Sequence, residues 1–442
     1  MWREWTLSRR FSKKFVLEAG KNLLITFLIL SLLFLIGETG LFRGAYEASP
    51  LFREIGEFAQ WLRGERTSGG DTGGVLLSEA AFPATMAITF EDGSRHAAKY
   101  STRVRNIYER FKALLGEALG SAGEPEKITA DIWREALGSS SVYFDFLYAQ
   151  PLSVLSAWVG EGKNEGISAH EARRILIARD ADSLALYYIS EPDGEFFKSS
   201  TPLGYFSLES LIYNYSPNGV YFEYEDSKHN GLDPYFLFSS DILNVQSMEA
   251  RPAATDFFET LLPVFGMNRY VARTTPLAGG GEEYVENDMR LELHPGGLIR
   301  FKSNSFSVLH PEDSSPSAAV ESALKIASAC LRPTDGRDHL NLHSLSYDAE
   351  NHEYTVTFSY ILAGLPVVYP DMDSAAQIKI KNGTVENAVI YAREYYPAQE
   401  QHKLLMPDRQ QAGIVSHQGG GEPWLVYTDR GEAVVTAGWD LN

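Results

Sequence analysis

The sequence predicts an α+β protein: one N-terminal transmembrane helix, a mixed α/β N-terminal domain, then two similar domains that each combine a helix with an antiparallel sheet. Three observations predict this class. An apolar run lies near the start of the chain. A segment with helical periodicity is followed by four extended runs, and this pattern occurs twice. Turn sequences such as Pro-Gly-Gly and Asn-Gly separate the extended runs.

The apolar run, Leu23 to Ile36, is interrupted only by Thr26 and Ser31. As a helix it would be about 21 Å long. The uncharged Asn22 and Gly37 extend it, and Leu41 and Phe42 beyond the solitary Glu38 bring the predicted anchor to residues 22–42. A cleaved signal peptide is the main alternative, and a buried core helix is another. No Ala-x-Ala site follows the run, so the sequence favours an uncleaved single-pass anchor in the cell membrane.

Charge is distributed unevenly along the 442 residues. Residues 1–21 contain six basic and two acidic side chains, a net charge of +4, whereas the whole chain has −19 and the remainder therefore −23. The positive-inside rule places this basic head in the cytoplasm and the acidic body outside the cell. An acidic body also argues against a broad nucleic-acid-binding face, so no nucleic acid partner is predicted.

These features predict six consecutive regions. They are a cytoplasmic basic head (1–21), a transmembrane anchor (22–42), a juxtamembrane helix with a Gly-rich linker (43–74), an N-terminal extracytoplasmic domain (75–241), a central α+β domain (242–310) and a C-terminal α+β domain (311–442).

The N-terminal domain is expected to alternate helices with strands. Helices are predicted at 103–119, 129–137 with Thr129 as N-cap, and 151–159, and strands at 85–89, 142–146, 175–178 and 184–189. The Tyr- and Phe-rich stretch 205–238 fits either paired strands or a packed irregular region.

The second half of the chain contains the weak repeat. The two predicted helices are 253–265 and 317–331. The strands after the first are 270–274, 283–286, 290–294 and 298–301, and those after the second are 340–347, 353–360, 375–380 and 385–391. Asn382-Gly383 predicts a type I′ hairpin turn, and strands 425–428 and 433–439 end the chain.

No catalytic motif is present in the sequence, so the chain is predicted not to be an enzyme, and neither a cofactor nor a metal is expected. The glycine-rich stretches 277–281 and 419–421 lack the Lys and following helix of a phosphate loop and are interpreted as loops. His339 and His343 lie on a predicted strand about 13 Å apart, which does not suit a shared metal.

Two pairs of aspartates are interpreted as solvated turns rather than calcium ligands, because no loop of oxygen ligands follows either pair; they are Asp371 with Asp373, and Asp180 with Asp182. The single cysteine, Cys330, excludes an intrachain disulfide and lies on a predicted helix. It is interpreted as a small buried hydrophobe, with a reactive thiol as the alternative.

An acidic cluster surrounds Tyr284 and consists of Glu282, Glu283, Glu286 and Asp288. It is either a solvated edge strand or a patch that faces a partner. On the second interpretation, Tyr284 and Glu286 are candidate partner-binding residues.

Several segments resemble the YycH/YycI family of extracytoplasmic regulatory proteins of Firmicutes. The resemblance covers the whole layout and is carried by FFETLLPVFGMNRYVARTTPL (257–277), EEYVENDMRLELHPGGLIRF (282–301), LAGLPVVYP (362–370), IKIKNGTVENAVIYAREY (378–395) and PWLVYTDRGE (423–432). The Gly-rich linker at 64–74 and the segment 194–241 depart from the family pattern.

This resemblance implies an accessory regulator of the WalK/WalR cell-wall two-component system. Its expected partners are the sensor histidine kinase, contacted through the transmembrane helix, and a related YycH/YycI-type protein. Thr26 and Ser31 would then be the hydroxylated residues available for helix–helix contact in the lipid. Two other functions stay open: a PepSY-like binding or inhibitor module, since helix-on-meander repeats are similar to those domains, and a secreted cell-wall hydrolase.

Overall fold

The structure, a computed structural model, describes residues 80–441 except 161–163, 165, 240–243, 253–260, 310–314, 332–337 and 371. The predicted head, anchor and linker, including Thr26 and Ser31, lie outside the described residues, as do Asp371 and most of the predicted helix 253–265. None of the helices within the described ranges combines the length and the apolar character needed to cross a bilayer.

The described residues form seven α-helices and 22 strands. The helices are α1 (Thr102–Ser121), α2 (Ala130–Gly138), α3 (Leu152–Val159), α4 (Tyr205–Ile212), α5 (Glu223–Asp226), α6 (Pro316–Leu331) and α7 (Asp408–His417), with a 3₁₀ turn at Leu262–Phe265. Strands β1 to β9 are Pro83–Thr89, Arg95–Lys99, Glu126–Ile128, Ser141–Pro151, Glu171–Asp180, Ser183–Glu191, Glu195–Gly204, Tyr221–Phe222 and Leu237–Phe238.

Strands β10 to β14 are Asn244–Pro252, Arg273–Pro276, Glu282–Glu286, Met289–Leu293 and Leu298–Lys302. Strands β15 to β22 are His339–Asp348, Glu353–Leu362, Leu365–Val368, Ala376–Lys381, Thr384–Tyr391, Arg393–Leu404, Pro423–Thr428 and Val434–Leu441. The mixed α and β composition that the sequence predicts is confirmed.

The first sheet is antiparallel and has seven strands in the order β2-β1-β4-β5-β6-β7-β3. Both of its faces are covered. Helices α1 and α3 pack on one face, and α2 packs on the other through Trp133, which is fully buried. Residues of β4 alternate between the two cores, with Phe144 in the first and Tyr143 in the second. Burial on both faces explains why the central strands β4 and β6 are mostly apolar along their length.

Local sequence signals place the helices that cover this sheet. The Thr129 side chain accepts a hydrogen bond from Ile132 N at 3.4 Å, so the predicted N-cap of α2 is confirmed. In α1, Gly116 allows the helix to approach the end of α3, because a Cβ there would lie 2.1 Å from Val159 O.

The second sheet contains β10 to β22 in the order β11-β12-β13-β14-β19-β18-β16-β17-β21-β22-β10-β20, with β15 paired to β16. Both predicted meanders are present, and the antiparallel pairing of β14 with β19 joins them edge to edge. Helix α6 packs on the inner face, and one continuous core extends from α1 and α3 to α6. Asn382 and Gly383 have φ values of 49° and 79°, as the predicted hairpin requires. The domain boundaries at residues 241 and 310 stay predictions.

Residues 205–238 contain features of both predicted alternatives, the short pair β8–β9 and irregular chain, together with helices α4 and α5, which the sequence did not predict. We call residues 205–238 the excursion, because they leave the first sheet between β7 and β10. The excursion covers the exposed edge of β2. Asn218 Oδ1 accepts from Ala97 N at 3.1 Å, and Asn218 Nδ2 donates to Ala97 O at 2.7 Å. One side-chain amide therefore satisfies backbone groups that a neighbouring strand would otherwise pair with.

The predicted strand at 270–274 is wrong in its first half. Asn268 begins a turn there: its Oδ1 accepts from Tyr270 N, and its carbonyl accepts from Val271 N and Ala272 N. The strand β11 therefore begins only at Arg273.

Candidate functional site at the junction of the two sheets

A cluster of buried charges lies where the two sheets and the 205–238 excursion meet. Three segments that are distant in sequence contribute to it. The first sheet provides Lys99, Asp145, Arg173 and Arg174; the excursion provides Asp233; and the C-terminal part provides Asp408 and Glu422. We call these seven residues the charge junction.

Arg173 is the centre of the charge junction. Its Nε donates to Asp145 Oδ1 at 2.7 Å, while its two terminal nitrogens bond to the two oxygens of Glu422 at 2.5 and 2.6 Å. The guanidinium also lies 4.8 Å from the Trp424 ring centroid. Bidentate pairing of this kind fixes both the distance and the orientation of the partners, so Arg173 connects β4 and β5 to the start of β21.

The neighbouring residues extend this connection to the excursion. Arg174 bonds to Asp233 at 3.0 Å and to Glu422 at 3.2 Å. Lys99 Nζ bonds to Asp408 at 3.1 Å and donates to Leu237 O at 2.6 Å. Each of these cations therefore joins two different segments.

Burial and ion pairing act in opposite directions on the two carboxyl groups beside Arg173. Burial alone would raise the pKa of Glu422, but Arg173 and Arg174 outweigh it and lower that pKa to about 2. At Asp145 burial outweighs the same two arginines, and the pKa is raised. The cavity within the charge junction is only ≈ 20 Å³, room for about one water molecule, so the geometry suits a structural cross-link rather than a ligand pocket.

Glycines next to the charge junction allow two backbones to touch. Gly420 has φ +94°, and a Cβ there would lie 2.3 Å from Gly231 O; Gly421 N donates to the same oxygen at 2.9 Å. The interpretation of 419–421 as a loop is confirmed. Its glycines are needed because the excursion packs directly against it.

A second buried polar network joins the segments that carry the family resemblance. The Tyr395 hydroxyl donates to Asp429 Oδ2 at 2.8 Å and lies 3.1 Å from the Tyr369 hydroxyl. Arg393 Nε lies 2.8 Å from the same Asp429 oxygen, and Arg393 donates to Glu432 O. Burial raises the pKa of both tyrosines, so they remain neutral donors. Segments 362–370, 378–395 and 423–432 thus meet in one buried polar network.

Comparison with solved structures identifies this architecture. The crystal structure of YycH from Bacillus subtilis matches with a TM-score of 0.53 and 14% sequence identity, over 83% of this chain and 95% of that protein. The chain has the fold of YycH. An uncharacterized protein from Eubacterium rectale matches with a TM-score of 0.30 and 12% identity, over 46% of this chain and 77% of that one. No protein-family model and no curated protein matches the sequence.

In this YycH fold, the acidic cluster is engaged by its own chain. Tyr284 faces the core with 7% of its surface exposed, and its hydroxyl donates to Glu282. Glu286 accepts from Asn268 N at 2.6 Å, and Glu283 pairs with Arg290 at 3.0 Å. A partner-binding role for Tyr284 and Glu286 stays a prediction.

Asp288, like the other acidic residues of the cluster, is engaged by groups of its own chain. It accepts hydrogen bonds from Ser305 Oγ and Asn304 N, which lower its pKa.

Two other residues singled out in the sequence lie outside this cluster. Asp180 pairs with Lys198 at 2.8 Å. Cys330 is buried on α6, which confirms its interpretation as a small core residue.

The two histidines of β15 of the YycH fold occupy different environments. His339 is buried, with its ring against Phe82 at a centroid distance of 5.4 Å. His343 Nδ1 lies 3.0 Å from Ser359 Oγ, and its ring stacks on Tyr148 of the first sheet at 4.0 Å. Across the part of the chain that the structure describes, His, Cys, Asp and Glu side chains form no group of three or more that could hold a metal.

Burial of His339 predicts acid sensitivity of the folded state. Burial and nearby Arg105 lower its pKa to about 3, whereas the unfolded chain takes up a proton near pH 6.5. Stability is therefore unaffected by this group above pH 6.5 and falls below it, by about 2 kcal/mol at pH 5. Denaturation curves of His339→Gln at pH 7.5 and pH 5 should lack this loss, while His402→Gln at an exposed site should retain it. Equal pH dependence in both variants would contradict the assignment.

Among the described residues, the large hydrophobic side chains with the highest exposed fractions are aromatic. Phe206 and Tyr213, seven residues apart near α4, are 79% and 89% exposed, and Tyr270 is 95% exposed. Exposed aromatic residues are frequent binding hot spots. The sequence could not distinguish these three from the many buried aromatics, because exposure depends on tertiary packing.

Proposed function

We propose that this chain is a membrane-anchored, extracytoplasmic accessory regulator of a cell-wall two-component sensor kinase, and that it acts by protein contact rather than catalysis. The observation that supports the proposal most directly is the match to YycH, which extends over 83% of this chain and 95% of the neighbour. The sequence resemblance supports the same assignment, since its C-terminal segments meet in one buried network.

In this proposal the parts of the chain have separate roles. Residues 22–42 span the membrane once with the head in the cytoplasm, and contact the kinase helix through a face that includes Thr26 and Ser31. The outer regions 75–241, 242–310 and 311–442 bind the related YycH/YycI-type protein. The charge junction supports such a role, because it ties the two sheets together so that the body responds as a unit.

Exchange of the anchor tests this proposal. Replacing residues 22–42 by an unrelated transmembrane helix should abolish regulation, measured as phosphorylation of the response regulator, because the kinase-contacting face is lost. A matched control retains residues 22–42 but replaces the head 1–21, and should retain regulation. Folding of the body is checked by its unfolding midpoint. Full regulation by a body released from its anchor would contradict the helix-contact mechanism.

A further inference from the structure

The outer face of the second sheet contains a line of basic side chains. Registered residues on neighbouring strands share a face, and one line runs from Arg273 (β11) through Val285 (β12), Arg290 (β13) and Lys302 (β14) to Asn387 (β19). Arg273, Arg290 and Lys302 are all exposed. Three of five consecutive strands therefore present a cation at the same level.

The alternation of side chains along the strands fixes this direction. The next registered line begins at Thr274, which is exposed on the edge strand, and continues through Tyr284, Leu291, Phe301 and Ala388, all four of which are buried in the core. Side chains one residue away must point to the opposite side of the sheet. The basic line consequently faces away from the core.

The charges on this line are poorly compensated. Arg290 pairs with Glu283, but within the described ranges no ion pair involves Arg273 or Lys302. Arg290 and Lys302 are directly opposite on adjacent strands, an arrangement of like charges that disfavours folding. The chain as a whole carries a net charge of −19, so a line of three cations with one paired carboxylate contrasts with the overall charge of the protein.

We infer that this face binds an acidic helix of a partner protein, laid across the strands along the basic line. Neighbouring strands are about 4.8 Å apart, so Arg273, Arg290 and Lys302 lie at about 0, 10 and 14 Å along it. A helix rises about 1.5 Å per residue, so carboxylates at i, i+7 and i+11 lie at about 0, 10 and 16 Å on one face. The long Arg and Lys side chains accommodate the remaining difference.

Exposed apolar residues lie beside this line at the sheet edge. Tyr270 and Val271 are 95% and 65% exposed and lie three and two residues before the start of β11. An aromatic side chain next to cations is the composition of a protein-binding hot spot, and it favours a protein partner over a simple anionic polymer.

Charge reversal on the line tests the inference with the full-length chain in detergent micelles. The probe is a labelled Ala-rich helical peptide of about 20 residues with Glu at i, i+7 and i+11. Arg273→Glu with Lys302→Glu should weaken its binding by about tenfold or more. The unfolding midpoint should stay equal or rise, because Lys302→Glu removes the repulsion with Arg290. A purely structural role would lower it.

The control pair is Lys325→Glu with Arg430→Glu, which makes the same charge change at exposed sites on α6 and after β21. It should bind the probe like the unaltered chain. Three outcomes would each overturn the inference. The first is equal weakening by both pairs of substitutions, and the second is equal binding of a peptide with Glu on scattered faces. The third is binding of polyphosphate or anionic vesicles but not of the peptide. The inference names a surface for the protein contact that the proposed function requires. Regulation that persists after anchor exchange, with peptide binding still lost on charge reversal of the line, would be failure of the proposed function alone. Regulation lost on anchor exchange, with equal peptide binding by the line variant and the control variant, would be failure of the inference alone.

Discussion

Replacing Arg173 by Met is expected to lower the free energy of unfolding by about 3–5 kcal/mol. The change removes the bidentate partner of Glu422 and the nearer cation of Asp145, and it leaves both buried carboxylates with Arg174 alone, at 3.2 and 3.6 Å. Met keeps much of the volume against Trp424, so lost packing contributes little. Chemical denaturation of the full chain in detergent measures the effect.

Two comparisons make the Arg173 prediction specific. Arg179 is on the same strand but is 38% exposed and 3.8 Å from Glu91, so Arg179→Met should cost less than about 1 kcal/mol. In a double-mutant cycle, Glu422→Gln should be much less damaging in the Arg173→Met background, because the uncompensated charge is then removed. Equal losses for Arg173→Met and Arg179→Met would show that the charge junction does not hold the two sheets.

Replacing Asp429 by Ala is expected to have an effect of similar size, about 3–5 kcal/mol. The substitution leaves Arg393 buried without its carboxylate, and it deprives the Tyr395 hydroxyl and Gly431 N of an acceptor. These groups belong to segments that carry the YycH resemblance. Because they are buried, the loss should appear in denaturation midpoints even though no exposed surface changes.

A nearby aspartate provides the control for the Asp429 prediction. Asp440 is exposed on β22, and within the part of the chain that the structure describes its carboxylate accepts only from Leu441 N, so Asp440→Ala should change stability by less than about 0.5 kcal/mol. Asp429→Asn should be intermediate, since an amide oxygen still accepts from Tyr395 but carries no charge to balance Arg393. A small effect of Asp429→Ala would mean that water reaches the network.

Elements with their own apolar pattern could be predicted from the sequence. The strand at 184–189 and the helix at 317–331 bury most of their residues and were located to within a few positions. Strands β10 and β20 and helix α7 were not predicted, because they are largely polar. Their structure follows from pairing with distant partners, as when Asn244–Pro252 pairs with β20, and not from local preference.

The charge junction could not be predicted for a related reason. Its members are spread from Lys99 to Glu422, and ion pairing has no characteristic sequence spacing. The only local signal is the adjacent Arg173 and Arg174 beside the apolar run 175–178, since buried cations require partners. The exposed basic line could not be predicted from the sequence either, because its cations come from three strands and only the strand register aligns them.

The pairing of β14 with β19 has a mechanical consequence. Backbone hydrogen bonds run without a break from residues before position 310 to residues after it, so the two meanders belong to a single stiff plate. A force applied at the outermost strand β11 is therefore transmitted as a tilt of the whole plate rather than absorbed by a hinge at its middle. We therefore expect that a partner bound at β11 can reorient the far edge of the sheet, tens of ångströms away, without deforming either meander.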